Sequence, residues 1–339
     1  MEDKIYCAKD QREEVSLKEK YKEYFAIGAA VNPYSIKKHE KLLQKHFNSI
    51  TAENEMKFVS VHPEENKYTF EKADLLVDFK KANNMKMRGH TLVWHGQVPD
   101  WLFTDSEGNP ASRDLLLGRM KDHISTVMGR YKNEIYCWDV VNEAVQDSGN
   151  EVYRKSKWFN IIGEDFIEQA FRFANSVDPG AKLFYNDYNA VIPEKRDKIY
   201  SLLKGLKEKD VPVHGMGIQG HWNIYSPTVQ EIREAIEKYA SLGLEIQITE
   251  LDMSVYAWND KGKLEEPSTE LLELQAKRYD EIFSLFREYK DVITGVTFWG
   301  VADDYTWLDD FPVKGRKNWP LLFDVNHEPK PAFYKIVDF

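Results

Sequence analysis

Short apolar runs rich in β-branched and aromatic residues alternate with amphipathic segments along the whole 339-residue chain. Several of these runs are apolar on both faces, which is typical of strands in a parallel sheet covered by helices. The eight candidate strands are 24–31, 49–54, 86–94, 135–143, 182–188, 215–221, 245–252 and 292–300. A chain with this alternation can bury both faces of its sheet only if helices surround it.

Two of the intervening segments carry apolar stripes at helical spacing, which indicates helices packed on a core. The stripes are Leu116, Met120, Ile124, Val127 and Tyr131, and Ile162, Phe166, Ala170, Phe173 and Val177. Linkers and low-complexity tracts longer than a loop are absent from the sequence. We therefore predict the α/β class, with residues 1–339 forming a single (β/α)8 TIM barrel and residues 1–17 a charged N-terminal arm.

A doubly wound open sheet is the alternative, and it requires a nucleotide-binding fingerprint. The segment 215–220 reads Gly-Met-Gly-Ile-Gln-Gly and matches G-x-G-x-x-G literally. It lies inside a strand pattern, however, and does not open a helix. We interpret these glycines as positions of close packing in a barrel.

Charge and composition exclude several functions. The chain has 46 basic and 56 acidic residues, a net charge of −10, which disfavours a broad nucleic-acid-binding surface. One of the longest apolar stretches, 292–302, is about half of the roughly 20 residues that cross a bilayer, so membrane insertion is not expected. Two cysteines give neither a disulfide framework nor a zinc motif. No metal or cofactor is predicted.

The first residues of the chain are charged throughout and lack the apolar stretch of a secretory signal. A cytoplasmic location is the resulting expectation.

Function in a barrel belongs to the carboxyl ends of the strands. There the sequence places polar and aromatic side chains: Glu53, Asn54 and Lys57; His90 and Trp94; Asn142 and Glu143; Asn186 to Asn189; Gln219 and His221; Glu250 and Asp252; and Trp299. Carboxylates, amides, imidazoles and indoles together suit a sugar, whose ring faces stack on tryptophan and whose hydroxyls need many hydrogen bonds.

Cleavage of a glycosidic bond requires two carboxyl groups, one to protonate the leaving oxygen and one to attack or to activate water. Glu143 and Glu250 each lie at the end of an apolar strand. A carboxylate at such a position is costly without partners or a task. These two glutamates are the predicted catalytic pair.

The segments 138–144 (WDVVNEA) and 248–252 (ITELD) resemble the acid/base and nucleophile motifs of family 10 glycoside hydrolases, the endo-β-1,4-xylanases. The resemblance extends through 89–95 (GHTLVWH), 185–189 (YNDYN), 297–301 (TFWGV) and 320–324 (PLLFD), and so covers nearly everything after about residue 18.

The resemblance implies a retaining endo-β-1,4-xylanase in which Glu250 is the nucleophile and Glu143 the acid/base, with carboxyl groups about 5–5.5 Å apart. It also implies that His221 hydrogen-bonds Glu250, that Asp252 orients His221, and that Asn142 holds the sugar 2-hydroxyl. The residues implied to bind the sugars on the non-reducing side are Glu53, Asn54, Lys57, His90, Trp94, Gln97, Gln219, Trp299 and Trp307. Tyr188 and Asn189 resemble the residues that receive the leaving group.

A signal-less enzyme of this type would act on short imported xylo-oligosaccharides, since long xylan cannot enter a cell. Three alternatives stay open: a related retaining β-glycosidase with gluco preference, a metal-dependent hydrolase that uses His90, His95, His221 and Asp252, and a non-catalytic sugar-binding barrel. Trp258 and Trp319 are either sugar platforms or packing residues. His39, His46, His62, His123, His214 and His327 have no motif context and are interpreted as solvated or structural.

Overall fold

The structure is a computed structural model and describes residues 15–339. Its strands are β1 (Ala26–Val31), β2 (Ser49–Ala52), β3 (Lys86–Trp94), β4 (Cys137–Asn142), β5 (Lys182–Asp187), β6 (Gly215–Ile218), β7 (His221–Asn223), β8 (Glu245–Ser254) and β9 (Ile293–Phe298). Its α-helices are α1 (Leu17–Lys20), α2 (Ser35–Lys38), α3 (Glu40–His46), α4 (Phe58–Val61), α5 (Glu71–Ala82), α6 (Arg113–Arg130), α7 (Lys157–Ile162), α8 (Phe166–Val177), α9 (Pro193–Glu208), α10 (Val229–Ala240), α11 (Thr269–Glu288) and α12 (Pro331–Val337).

The strands pair in parallel and close on themselves. Neighbours pair in chain order from β1 to β6, β6 pairs with β8, β8 with β9, and β9 with β1. Short β7 pairs with the far end of β8. The predicted eight-stranded (β/α)8 barrel is confirmed, and no helix among residues 15–339 is both long and apolar enough to span a membrane.

The sixth predicted strand, 215–221, is two strands in the structure. The chain turns away after β6, where Gly220 has a φ of 84°, and resumes as β7. A Cβ atom on Gly215 would lie 2.2 Å from the ring of Phe184, and one on Gly217 would lie 2.3 Å from Asn186 Oδ1. These glycines make room for side chains of β5, so the packing interpretation of the motif holds.

One predicted helical stripe is continuous and the other is not. Leu116, Met120, Ile124 and Val127 are all fully buried on α6. The second stripe is divided, because α7 ends at Ile162 and Gly163 adopts a φ of 100° before α8 begins. The apolar residues keep helical spacing across Gly163, so the spacing alone does not reveal that the helix is interrupted there.

The barrel interior is partly charged rather than wholly apolar. Arg88 on β3 donates to both carboxylate oxygens of Asp139 on β4, at 3.1 and 2.7 Å, and to Gln247 Oε1 on β8 at 2.6 Å. Burial raises the pKa of Asp139, but Arg88 and His90 outweigh it and leave this pKa below its ordinary value. These buried charges are tolerated because Arg88 and Asp139 pair with each other and make their hydrogen bonds within the barrel.

Strands β3, β4 and β8 lose regular register near their carboxyl ends. The irregularities lie between His90 and Val93, between Asp139 and Val141, and between Ile248 and Leu251. Bulges change the direction of side chains that follow them. The residues expected at the active site lie at or just beyond these positions.

Residues 1–14 of the predicted N-terminal arm lie outside the described residues. The last residue assigned to the arm, Leu17, begins α1 and is fully buried in the core. The side of the barrel near α1 also receives the end of the chain, where the Tyr21 and Phe339 rings lie 5.2 Å apart.

Candidate active site

A cleft of about 690 Å³ opens at the carboxyl ends of the strands. It is lined by Glu53, Asn54, Lys57, His90, Trp94, Gln97, Asn142, Glu143, Tyr188, Asn189, Gln219, His221, Glu250, Trp258, Trp299, Trp307 and Phe311. Every sequence-predicted site residue except Asp252 lines this cleft, and Asp252 is buried behind His221. The two additional residues are Trp258 and Phe311.

Glu143 directly follows β4 and has a φ of 57°, in the left-handed region. Such a conformation costs a residue other than glycine roughly 1–3 kcal/mol and needs support from its surroundings. The support includes a hydrogen bond from the Glu143 backbone N to Asn186 O at 2.9 Å and one from Arg154 Nε to Glu143 O at 2.9 Å. The side chain is thereby aimed into the cleft.

Both carboxylate oxygens of Glu143 accept hydrogen bonds from uncharged groups. Trp94 Nε1 donates to Oε2 at 2.7 Å, and Gln219 Nε2 donates to Oε1 at 2.9 Å. These donors fix the position of the carboxyl group without placing a cation on it.

Glu250 on β8 has charged surroundings. His221 Nε2 lies 3.0 Å from Glu250 Oε2, and His221 Nδ1 lies 2.9 Å from Asp252 Oδ2. Asn186 Nδ2 donates to Glu250 Oε1 at 2.8 Å. The imidazole therefore connects two carboxylates, which is the contact that the family resemblance implied.

The protonation states follow from this arrangement. Burial lowers the pKa of His221, but Asp252 and then Glu250 outweigh it and raise this pKa to about 10. Burial raises the pKa of Glu250, yet the hydrogen bond from His221 and the nearby imidazoles leave it below its ordinary value. At neutral pH an imidazolium thus holds an ionised Glu250.

Lys57 and Glu53 form the wall of the cleft near β2. Lys57 is buried, donates to Asn54 Oδ1 at 2.9 Å, and has its Nζ atom 5.1 Å from the centre of a Trp94 ring. Burial lowers its pKa, while the acidic cleft residues oppose this. Asn32 Nδ2 donates to Glu53 Oε2 at 2.7 Å, and this hydrogen bond fixes the Glu53 side chain. The structure thus excludes a surface position for Lys57.

Tyr188 lies in the opposite wall within a dense polar network. Its hydroxyl donates to Asp147 Oδ2 at 2.5 Å and accepts from Arg154 Nη2 at 2.7 Å. Lys195 Nζ lies 3.5 Å from the centre of the Tyr188 ring. Lys195 therefore covers one face of the Tyr188 ring. The next residue, Asn189, has a φ of 52°, in the left-handed region.

Sequence reasoning placed Asn186 at the rim without a role and missed Thr249, although both connect the residues of the site. Asn186 contacts Glu250 and lies 3.0 Å from the amide of Asn142, and Thr249 Oγ1 donates to Asn186 Oδ1 at 2.6 Å. Asn186 lies near the end of β5, as Asn142 lies at the end of β4, and this position was the signal in the sequence that could have indicated a role in the site.

The residues proposed for a metal-dependent hydrolase form no ligand cluster within residues 15–339: His90 and His221 share the cleft, and His95 lies apart from them. His90 contacts Asp139 at 2.9 Å, and His221 contacts Glu250 and Asp252. His95 instead lines a separate cavity beside Val98 and Trp158. This alternative finds no support in the described residues.

A parallel barrel whose rim carries two hydrogen-bonded glutamates, imidazoles, amides and tryptophans has the features of a glycoside hydrolase. The model of glycosyl hydrolase family 10 matches residues 16–339. The chain belongs to glycosyl hydrolase family 10.

Three relatives that are matched over nearly their whole lengths show what the chain is similar to. An endo-1,4-β-xylanase of Geobacillus stearothermophilus is 56% identical over 95% of this chain and 98% of its own. The crystal structure of xylanase XynB from Paenibacillus barcinonensis, complexed with a conduramine derivative, is 54% identical, has a TM-score of 0.94, and is matched over 95% of this chain and 98% of that one. A solved mutant structure in complex with xylotriose is 52% identical, also has a TM-score of 0.94, and is matched over 96% and 100% of the two chains.

Proposed function

We propose that this chain is a retaining endo-1,4-β-xylanase in which Glu250 is the nucleophile and Glu143 the acid/base. The observation that carries the assignment of roles is the contact of Glu250 with His221, whose pKa is raised to about 10. A nucleophilic carboxylate must be ionised before the sugar arrives, and an adjacent imidazolium keeps it so.

In the first step, Glu250 attacks the anomeric carbon and the bond to the leaving oxygen breaks. Glu143 gives its proton to that oxygen, so the shortened chain leaves as an alcohol and a glycosyl ester remains on Glu250. Glu143 then takes a proton from water, and the resulting hydroxide displaces Glu250 from the sugar. The two inversions restore the β configuration.

The surrounding residues position the substrate for these steps. Asn142 lines the cleft, lies 3.0 Å from the Asn186 amide that also contacts Glu250, and would hold the 2-hydroxyl of the reacting sugar. Glu53, Asn54, Lys57, His90 and Gln97 would bind sugars on the non-reducing side together with Trp94, Gln219, Trp299 and Trp307. Tyr188 and Asn189 would receive the leaving sugar.

The aromatic wall favours xylose over glucose. The Trp299 ring lies 5.4 Å from His90 and 6.2 Å from His221, and the Trp307 ring lies 4.9 Å from His221. Trp307 Nε1 also donates to Asp252 Oδ2 at 2.8 Å, which fixes that indole. Xylose lacks the C6 hydroxymethyl group, and rigid indoles beside the reacting sugar disfavour a substrate that carries it.

Hydrolysis of xylotriose and xylotetraose by wild type and by Glu250→Ala tests the proposal. The variant should lose several decades of rate, at about 1.4 kcal/mol per decade. Azide should rescue it on an activated aryl β-xylobioside and give the α-xylosyl azide, because azide replaces the carboxylate and only one inversion occurs.

The matched control is Glu245→Ala, at the opposite end of the same strand, where Glu245 pairs with Lys182 at 2.6 Å. It should keep wild-type activity. Wild-type turnover of aryl β-cellobioside without turnover of aryl β-xylobioside would favour the gluco-preferring glycosidase. Absence of turnover on both would favour a sugar-binding barrel.

The expectation of a cytoplasmic enzyme that acts on imported xylo-oligosaccharides stays a prediction. It depends on the first residues of the chain, and residues 1–14 lie outside the described part. Fractionation of the source cells, with activity measured in each fraction, tests it.

A further inference from the structure

Two histidines and one aspartate from distant segments meet outside the cleft. His39 directly follows α2, Asp304 follows β9, and His327 lies in the loop before α12. His39 Nε2 is 2.8 Å from Asp304 Oδ1, and His327 Nε2 is 3.3 Å from Asp304 Oδ2. The two imidazole rings lie 4.8 Å apart, nearly perpendicular to each other.

The chemistry and spacing of this cluster match a transition-metal site. One nitrogen or oxygen atom from each of the three residues lies within 4.8 Å of the others, and no other such group of three occurs within residues 15–339. Tetrahedral zinc with bonds of about 2.0–2.1 Å places neighbouring ligand atoms about 3.4 Å apart. The two histidine–carboxylate distances, 2.8 and 3.3 Å, lie just below this value, and all three ligand atoms lie within 4.8 Å of one another, so side-chain shifts would complete the geometry.

We propose that His39, Asp304 and His327 bind a Zn²⁺ ion, with water as the fourth ligand. Two imidazoles and one carboxylate favour zinc over calcium or magnesium, which prefer ligand sets made of oxygen. The ion would not take part in the glycosidase chemistry, and the proposal does not depend on the proposed function.

The position of the site indicates a structural role. His39 and Asp304 are 265 residues apart in the sequence and lie in the segments that follow β1 and β9, the two strands that close the barrel. Zinc would also link the loop that contains His327 to the segments after β1 and β9. An ion that binds only the folded chain stabilises it, because unfolding must release the ligand.

The same loops reach the cleft through Glu53. Asn32, on the loop after β1, donates to the Glu53 carboxylate at 2.7 Å, and the Tyr305 hydroxyl, next to Asp304, approaches it at 3.3 Å. A bound ion would therefore also restrain the wall of the cleft that contains Glu53.

The test is titration of chelator-treated full-length protein with ZnCl₂ by calorimetry, with thermal unfolding measured at each zinc concentration. His327→Asn removes one ligand while keeping the backbone, since His327 has a φ of 70° and asparagine tolerates that conformation. A second variant, Asp304→Asn, keeps the shape of the side chain and removes its charge. The control is His214→Gln, a half-buried histidine outside the cluster.

Wild type and His214→Gln should bind one Zn²⁺, and their Tm should rise with the logarithm of zinc concentration. His327→Asn and Asp304→Asn should bind zinc at least about 100-fold more weakly, since even loss of a supporting partner costs 10- to 100-fold. Cobalt should give wild type the visible absorption of a tetrahedral site, and calcium should leave Tm unchanged.

Equal zinc affinity in wild type and both cluster variants would overturn the proposal and would place zinc elsewhere, for example in the acidic cleft. Absence of stoichiometric zinc binding by wild type would also overturn it and would leave the cluster as hydrogen bonds around Asp304. The unfolding temperatures of the metal-free variants separate loss of binding from loss of fold.

Discussion

Glu250 and Glu143 lie on the same rim of the barrel but are held by different kinds of partner. Glu250 contacts the imidazole of His221, which Asp252 keeps protonated, so a positive charge lies at one oxygen. Glu143 accepts its hydrogen bonds from an indole and an amide, Trp94 and Gln219. The difference is one of charge: an imidazolium lies beside Glu250 and keeps it ionised, whereas both hydrogen-bond donors to Glu143 are neutral.

The largest expected effect that tests this contrast is that of Glu143→Ala. On xylotetraose its kcat/KM should fall by up to about 10⁴-fold, because the departing sugar oxygen needs a proton. On an aryl xylobioside with a good leaving group the first step should survive, so that a burst of phenol precedes slow turnover. Rapid-mixing absorbance measurements would show the burst.

Azide distinguishes the two glutamate variants further. It should accelerate the second step of Glu143→Ala and give the β-xylosyl azide, the opposite anomer from that expected with Glu250→Ala. Equal loss of activity by both variants on activated and unactivated substrates would contradict the assignment of different roles to Glu143 and Glu250.

A smaller effect is expected from His221→Asn. Burial raises the pKa of Glu250, and the hydrogen bond from His221 is the largest influence that lowers it. Without His221 the pKa of Glu250 rises, so Glu250 is protonated at higher pH and the acidic limb of kcat/KM shifts upward. We expect a loss of about 10- to 100-fold near neutral pH, as for other supporting residues.

The pH profile separates a role in positioning and charge from a role in folding. A variant that merely folds less well would show a lower rate with an unchanged acidic limb. Asp252→Asn is the companion variant, because Asp252 is the larger of the two carboxylate influences on the pKa of His221. It should let His221 lose its proton at lower pH and weaken activity first on the alkaline side.

The smallest effect is expected at the outer end of the cleft. Trp258 is partly exposed, and its ring lies 6.5 Å from that of Phe311, another lining residue. If Trp258 stacks on an outer sugar, Trp258→Ala should raise KM for xylotetraose about 3- to 10-fold and leave aryl xylobioside unaffected. Tyr225→Ala, at an exposed aromatic residue outside the cleft lining, is the control. Equal KM values for xylotetraose in wild type and Trp258→Ala would make Trp258 a packing residue.

Prediction from the sequence was most successful where one pattern repeats. Eight apolar strands between amphipathic helices predict the barrel, and the polar residues at their ends predict the lining of the cleft. It was less successful where a local irregularity interrupts the pattern. The division of 215–221 into β6 and β7, the glycine break before α8 and the bulges near His90 and Glu250 have no periodic signal.

The sequence also understated the role of buried polar residues. Asn186 contacts both catalytic candidates, through a backbone hydrogen bond to Glu143 and a side-chain hydrogen bond to Glu250. Arg88 and Asp139 form a buried ion pair in the barrel interior, and neither residue was assigned a role from the sequence. Such residues can be recognised only with their partners, which are distant in the sequence.

His39 and His327 illustrate the same limit, because each is unremarkable in its own segment and only the closing of the barrel brings both to Asp304. The sequence by itself determined the class of fold, the family and the candidate catalytic pair, since these depend on local periodicity and on motifs of adjacent residues. Tertiary structure decided which partners each carboxylate has, and it keeps Glu250 ionised beside His221. Coulombic attraction and hydrogen bonding act over a few ångströms of space, whatever the distance along the chain.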